Sequence, residues 1–154
     1  IIEQFPEASF HVLGNNNNDH WNEVAIPLLT TKALSKTTYY GPVPNAQIFE
    51  YLKKAHVVIF PSYGENFSVG LLEVMSIGKI AVTSKISSFE EIIVHKQNGF
   101  MATKLEDYIA IISKLFESET KLELISANAK NTIKAQFELK KIMEENVNYY
   151  KTLV

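Results

Sequence analysis

The spacing of apolar positions changes along this chain. In SFHVLG, Ser9 to Gly14, apolar and polar residues alternate up to a glycine, which predicts a strand at Phe10–Leu13. Thr37–Tyr40, closed by Gly41-Pro42, predicts a second short strand. Val57–Phe60 (VVIF) and Ile80–Thr83 are continuous apolar runs, the pattern of strands covered on both faces in a parallel sheet. Phe100-Met101 predicts a short last strand. Elsewhere the spacing turns helical. Trp21 to about Lys32 predicts a helix that Pro27 kinks or shortens. Pro44 to Ala55 predicts another, with Asn45 as cap and Ile48, Tyr51, Leu52 and Ala55 on one face. A short helix over Val69–Ile77 is expected to be capped by Ser68 and stopped by Gly78. Phe89–Val94 predicts one more. Residues 1–8 read as the tail of a helix ending near Pro6, and Asn15–Asp19 as a solvated polar turn. From Leu105 to Tyr150 the chain is expected to be helical, with Ile109, Ile112, Leu115 and Phe116 on one face.

Strands and helices alternate through residue 103. This predicts an α/β fold, a Rossmann-like parallel sheet with helices on both faces, formed by a single domain over residues 1–154. Such sheets bind ligands beyond the carboxyl ends of their strands. The loops after Leu13, Phe60 and Thr83 are therefore where chemistry is expected.

Composition narrows the chemistry. With 154 residues, 46% apolar and 21% charged, the chain has the make-up of one globular domain with a sizeable core. No apolar run reaches the ~18 residues of a membrane span. Cysteine is absent, which excludes disulfides, thiolate metal sites and Cys nucleophiles. A net charge of -2 argues against nucleic acid as a partner. All 15 cations are Lys, so an anion must be held by Lys, by backbone amides or by a helix N-terminus. The two Asp residues, Asp19 and Asp107, are too far apart for an Asp-x-Asp metal pair, and no two His share metal-ligand spacing. His11 and His56 read as structural or surface residues, and His95-Lys96 as a solvated turn. His20 is a weak candidate for ligand contact, Lys85 for phosphate contact, and Glu91 divides evenly between structure and function. Ser62 lacks the His and Asp neighbours of a nucleophile.

Residues 61–73, PSYGENFSVGLLE, carry the strongest candidate chemistry. Glu65 lies in the loop after an apolar strand, and Glu73 follows seven residues later inside the next helix. The amides of Asn66, Phe67 and Ser68, with the free N–H groups of the helix start, offer an anion site. Glu65 can accept from hydroxyl donors at the cleft edge. Glu73 is flanked by Leu71, Leu72, Val74 and Met75, and a carboxylate buried there needs a partner. A vicinal diol supplies two O–H donors for two carboxylate oxygens. Spacing alone leaves a plainer alternative open, with Glu73 paired to a lysine or an amide and Glu65 solvated.

The segment PSYGENFSVGLLEVMSIGKIAVTSKISSFEEIIVHKQNGF resembles the nucleotide-sugar-binding half of retaining GT-B glycosyltransferases of family 4, the glycosyl transferase group 1. Pro61, Ser62, Glu65, Phe67, Glu73, Met75, Gly78, Val82, Ser84, Glu91, Ile92, Asn98 and Gly99 stand in register with that family's pattern. The preceding GPVPNAQIFEYLKKAHVVIFPS is similar to it as well. The resemblance implies that Glu65 contacts the donor sugar in the catalytic centre and that Glu73 binds the ribose. It also implies that Asn66, Phe67 and Ser68 offer amides to the phosphates or sugar, and that Pro61, Ser62 and Tyr63 shape the wall. The donor would be a UDP-, GDP- or ADP-sugar, with no further cofactor and no metal. The acceptor would be a glycan or lipid-linked saccharide.

The chain departs from the family pattern at several places. Ser68 stands where a Gly is usual, Ser87-Ser88 replace a Gly-Gly, His56 replaces an Asp and Glu90 a Pro. The family's first strand, its Gly-bearing loop and the basic pair that clamps the diphosphate have no counterpart. The chain opens at Ile1 without an initiator methionine. It is therefore expected to be a fragment of a two-domain enzyme, inactive alone, whose partner is an N-terminal acceptor-binding domain. A cytoplasmic location is expected, with Lys140-Lys141 offering peripheral contact to the cytoplasmic membrane face. Without the family's first strand, the strands at 10–13 and 57–60 are expected either to close up into a 2-1-3-4-5 order or to leave a seam. The alternatives are a non-catalytic flavodoxin-like binding or regulatory module, or another GT-B enzyme such as a sugar epimerase or phosphorylase.

Overall fold

A computed structural model describes residues 1–117 and 119–153. The chain divides into two compact units, Ile1–Tyr51 and Leu52–Val154.

In the first unit, β1 (Phe10–Leu13) pairs in parallel with β2 (Thr37–Gly41). The register slips between Val12 and Leu13, so that Val12 faces Tyr39 and Leu13 faces Gly41. Residues 1–8 form turns rather than the expected helix tail, with the amides of Gln4 and Phe5 both bonded to the Ile1 carbonyl. Pro6 has no N–H to continue such a ladder. The polar loop is solvated as expected, with Asn15, Asn17, Asn18 and Asp19 exposed, and it is also bonded internally. Asn16 accepts from the Trp21 amide at 2.6 Å, and Asp19 accepts from the Asn16 and Asn22 side chains at 2.7 Å each. The helix expected from Trp21 to Lys32 is broken. A π-type turn over Trp21–Ala25 leads into α1 (Ile26–Leu28), then Leu29 extends and α2 (Thr31–Ser35) begins on a Thr30 side-chain cap. Pro27 sits at the start of α1, where its missing N–H costs nothing. The division between the units falls within α3 (Asn45–Lys54).

In the second unit, β3 (Val57–Phe60), β4 (Ile80–Ser84) and β5 (Phe100–Ala102) form a parallel sheet in the order β3-β4-β5. Helices cover both faces of the parallel sheets. Central β4 is buried from Ile80 to Thr83. By contrast, all four residues of β3 are only partly buried, not enclosed as the apolar run predicts. Among the described residues β3 is an edge strand bonded to β4 alone, and the five strands make two sheets. The closed 2-1-3-4-5 order is therefore not formed.

The core of this unit joins α4 (Val69–Ser76), β4 and α7 (Glu119–Gln136) through Leu71, Val74, Met75, Ala81, Phe89 and Ala129. α5 (Ser87–Glu90) starts two residues before the expected Phe89. The terminal region is helical as expected, and among the described residues it forms α6 (Leu105–Glu117), α7 and α8 (Leu139–Lys151). Ser118, which the sequence places inside that helical region, lies outside the described residues. Of the predicted apolar stripe on α6, Ile112 and Leu115 are buried, while Ile109 and Phe116 remain exposed at the edge of the contact.

Candidate functional site

The loop of residues 61–68 leaves the carboxyl end of β3 and runs into α4. Helix α4 begins there because Ser68 caps it, its Oγ accepting from the Leu71 amide at 3.3 Å. Ser68 has φ -93° and ψ 92°, backbone that any residue adopts, so replacing the family's glycine imposes no strain. Gly78 ends the helix with φ +75°. Its amide bonds the Met75 carbonyl at 2.9 Å, and the Lys79 amide bonds that of Val74 at 3.0 Å, the two bonds of a Schellman stop.

Helical periodicity sorts the residues around Glu73. Leu71, Val74 and Met75 turn into the core. Glu73 lies on the opposite face with exposed Val69 and Ser76, and is itself partly buried. The enclosing apolar environment suggested by its sequence neighbours is thus not realised, because those side chains point the other way. Among the described residues the Glu73 carboxylate has no hydrogen bond and no ion pair. It is not locked to a lysine.

Glu65 is exposed, and its Oε1 accepts from the Ser62 hydroxyl at 3.1 Å. Asn66 and Phe67 are exposed, Phe67 with its ring 6.1 Å from that of Phe137. Tyr63 projects fully into solvent. Among the described residues, no acceptor is satisfied by the amides of Asn66, Phe67, Ser68, Val69 or Gly70. Five N–H groups in succession are therefore open where the positive end of α4 lies. The geometry supplies amide donors for an anion and, one turn further along, a free carboxylate for hydroxyls.

Two residues outside the predicted set belong to this region. Ser84, the last residue of β4, donates from Oγ to the Ser62 carbonyl in a short hydrogen bond. Tyr108 on α6 has a buried hydroxyl with no hydrogen-bond partner of ordinary geometry. Burial raises its pKa, and the Ser84 hydroxyl pulls the other way. Ser84 was visible as a strand-end residue in the family pattern, whereas nothing marked Tyr108.

The lesser candidates are placed as follows. Lys85 is exposed and lies 3.7 Å from Glu90. Lys79 donates to the Lys53 carbonyl at 2.7 Å, at the end of α3. His11 lies between the hydroxyls of Ser9 and Tyr40, at 3.1 and 3.0 Å. His95 differs from the solvated turn expected: it is partly buried, and its Nδ1 accepts from the Met101 amide at 3.0 Å. Glu91 and His20 are exposed.

Parallel strands with helices on both faces define an α/β fold of the Rossmann-like class. Comparisons with known proteins give its family. The family described as glycosyl transferases group 1 matches residues 1–132, and the chain belongs to that family. It is 32% identical over 118 residues to an uncharacterised glycosyltransferase of Methanocaldococcus jannaschii, a match covering 75% of this chain and 30% of the relative. It is 25% identical over 113 residues to the GDP-Man:Man(3)GlcNAc(2)-PP-Dol alpha-1,2-mannosyltransferase of Dictyostelium discoideum, covering 73% of this chain and 22% of that protein. Among solved structures, Anabaena HepE in complex with UDP-glucose superposes with a TM-score of 0.85 at 20% identity, over 96% of this chain and 42% of that one. The chain thus spans less than a third of the length of these curated relatives.

Proposed function

We propose that this chain is the nucleotide-sugar-binding part of a retaining glycosyltransferase that moves a sugar from a nucleoside diphosphate sugar to a hydroxyl of a glycan or lipid-linked acceptor. The observation that carries the reading is the Glu73 carboxylate, partly buried and without a protein partner, one turn beyond the open amides of residues 66–70. In this reading the amides and the α4 dipole hold the diphosphate, and stabilise it as it leaves. Glu73 accepts from both ribose hydroxyls, and Glu65 faces the sugar. A carboxylate–hydroxyl bond contributes roughly 1.5–3 kcal/mol. Two of them account for much of the ~8 kcal/mol of a micromolar complex. An acceptor-binding domain outside this chain would complete the centre, so this part alone is expected to bind the donor and transfer nothing. The fold of HepE, observed with UDP-glucose, supports the reading.

The test is a calorimetric titration with UDP, GDP and ADP and with their 2′,3′-dideoxy analogues. The chain should bind one nucleotide and bind its dideoxy form at least tenfold more weakly, and Glu73→Ala should abolish that difference. Equal binding of both forms by the unaltered chain would overturn the ribose assignment.

A further inference from the structure

We infer that Ser84 is a positioning residue for Glu65, acting through the loop between β3 and α4. The inference rests on Glu65 being the sugar-facing carboxylate. Phe60 faces Thr83 in the β3–β4 ladder, so Ser84 is the first β4 residue past the last rung, level with the start of the loop. Its Oγ donates to the Ser62 carbonyl, with the Phe60 carbonyl as a longer second acceptor at 3.5 Å. The Ser62 hydroxyl in turn donates to Glu65 Oε1 at 3.1 Å. These contacts run from the buried central strand to an exposed carboxylate. Among the described residues, no backbone–backbone hydrogen bond begins or ends on residues 61–67. The hydroxyls of Ser84 and Ser62 are therefore the polar ties that hold this loop.

A loop held this way presents Glu65 at a fixed height above β4. Loss of the tie leaves the fold intact but lets the carboxylate wander, and a displacement of about 1 Å is enough to degrade a site. Glu73 stands on α4 outside this loop, so the ribose contact does not depend on the tie. The larger effect therefore falls on the sugar, with a smaller one on the diphosphate through the amides of Asn66 and Phe67.

The experiment measures the affinity for the nucleotide that binds, and for its glucose, mannose, galactose and N-acetylglucosamine esters. The proteins are the unaltered chain, Ser84→Ala, Ser84→Thr, Glu65→Ala and the Ser84→Ala/Glu65→Ala pair. Ser84→Ala should lower the preference for the best ester over the bare nucleotide by about tenfold, one hydrogen bond's worth. Ser84→Thr should restore the preference, and the double substitution should be no worse than Glu65→Ala. The inference is overturned if Ser84→Ala keeps the preference, if the two substitutions add, or if bare-nucleotide affinity falls equally. In those cases Glu73-dependent nucleotide binding still stands. If the unaltered chain binds nucleotide but no ester better, the sugar-facing role of Glu65 falls and this inference with it.

Discussion

The Asn98 side chain donates from Nδ2 to the Thr132 hydroxyl at 3.0 Å, tying the turn before β5 to α7. The same carboxamide donates to the Ile92 carbonyl at 3.0 Å and accepts from the Val94 amide at 2.7 Å. Asn98 is 3% exposed, so water cannot replace these partners. Asn98→Ala should destabilise the protein by about 2–4 kcal/mol, the sum of lost bonds and stranded backbone groups. Urea unfolding would show it as a lower midpoint at an unchanged slope.

Gly78 answers to two constraints at once. Its φ of +75° is the left-handed region, and a Cβ would stand 2.4 Å from Lys130 Cε and 2.6 Å from Ser126 Oγ. The Ser126 hydroxyl also donates to the Gly78 carbonyl at 2.7 Å. Gly78→Ala should cost about 1–2 kcal/mol from the backbone alone, with the crowding added. Gly78→Asn should cost less than Ala, since Asn tolerates this conformation, but should still destabilise because the crowding persists. Thermal unfolding of the pair separates the two contributions.

Ser68 tests the cap of α4. Ser68→Ala removes the acceptor for the Leu71 amide and should cost about 1 kcal/mol, whereas Ser68→Gly should cost only a few tenths. Equilibrium denaturation of both variants checks the order. Equal losses would mean that the hydroxyl does not stabilise the helix start.

His95 makes stability depend on pH. Its pKa is lowered below 6.5, first by burial and then by the charges of Lys96 and Lys85. Its Nδ1 must stay unprotonated to accept from Met101. A group with a depressed native pKa binds more protons when unfolded. Its contribution is therefore complete above pH 6.5 and is lost as pH falls through the lower native value. Unfolding followed from pH 8 to pH 5 should show this decline, and His95→Gln should flatten it.

Local pattern was enough for much of the architecture. Strands at Phe10–Leu13 and Val57–Phe60, the Ser68 cap and the Gly78 stop were legible, because each depends on residues within a few positions of one another. The same held for the acidic pair at Glu65 and Glu73, whose spacing around a strand-to-helix loop lies in the sequence itself. Tertiary structure decided what those acids meet. Glu73 sits among apolar neighbours in sequence, yet the helix turns those neighbours inward and leaves the carboxylate unpaired. The tie from Ser84 to Ser62 joins residues 22 positions apart, and the partly buried His95 found its partner only when the Met101 amide was brought beside it. The sequence left open whether the strands at 10–13 and 57–60 close up or part, since an apolar strand reads alike whether one neighbour or two will bond to it; the structure forms two sheets among the described residues. Periodicity fixes which way a side chain leaves its own backbone; only packing decides what it finds there.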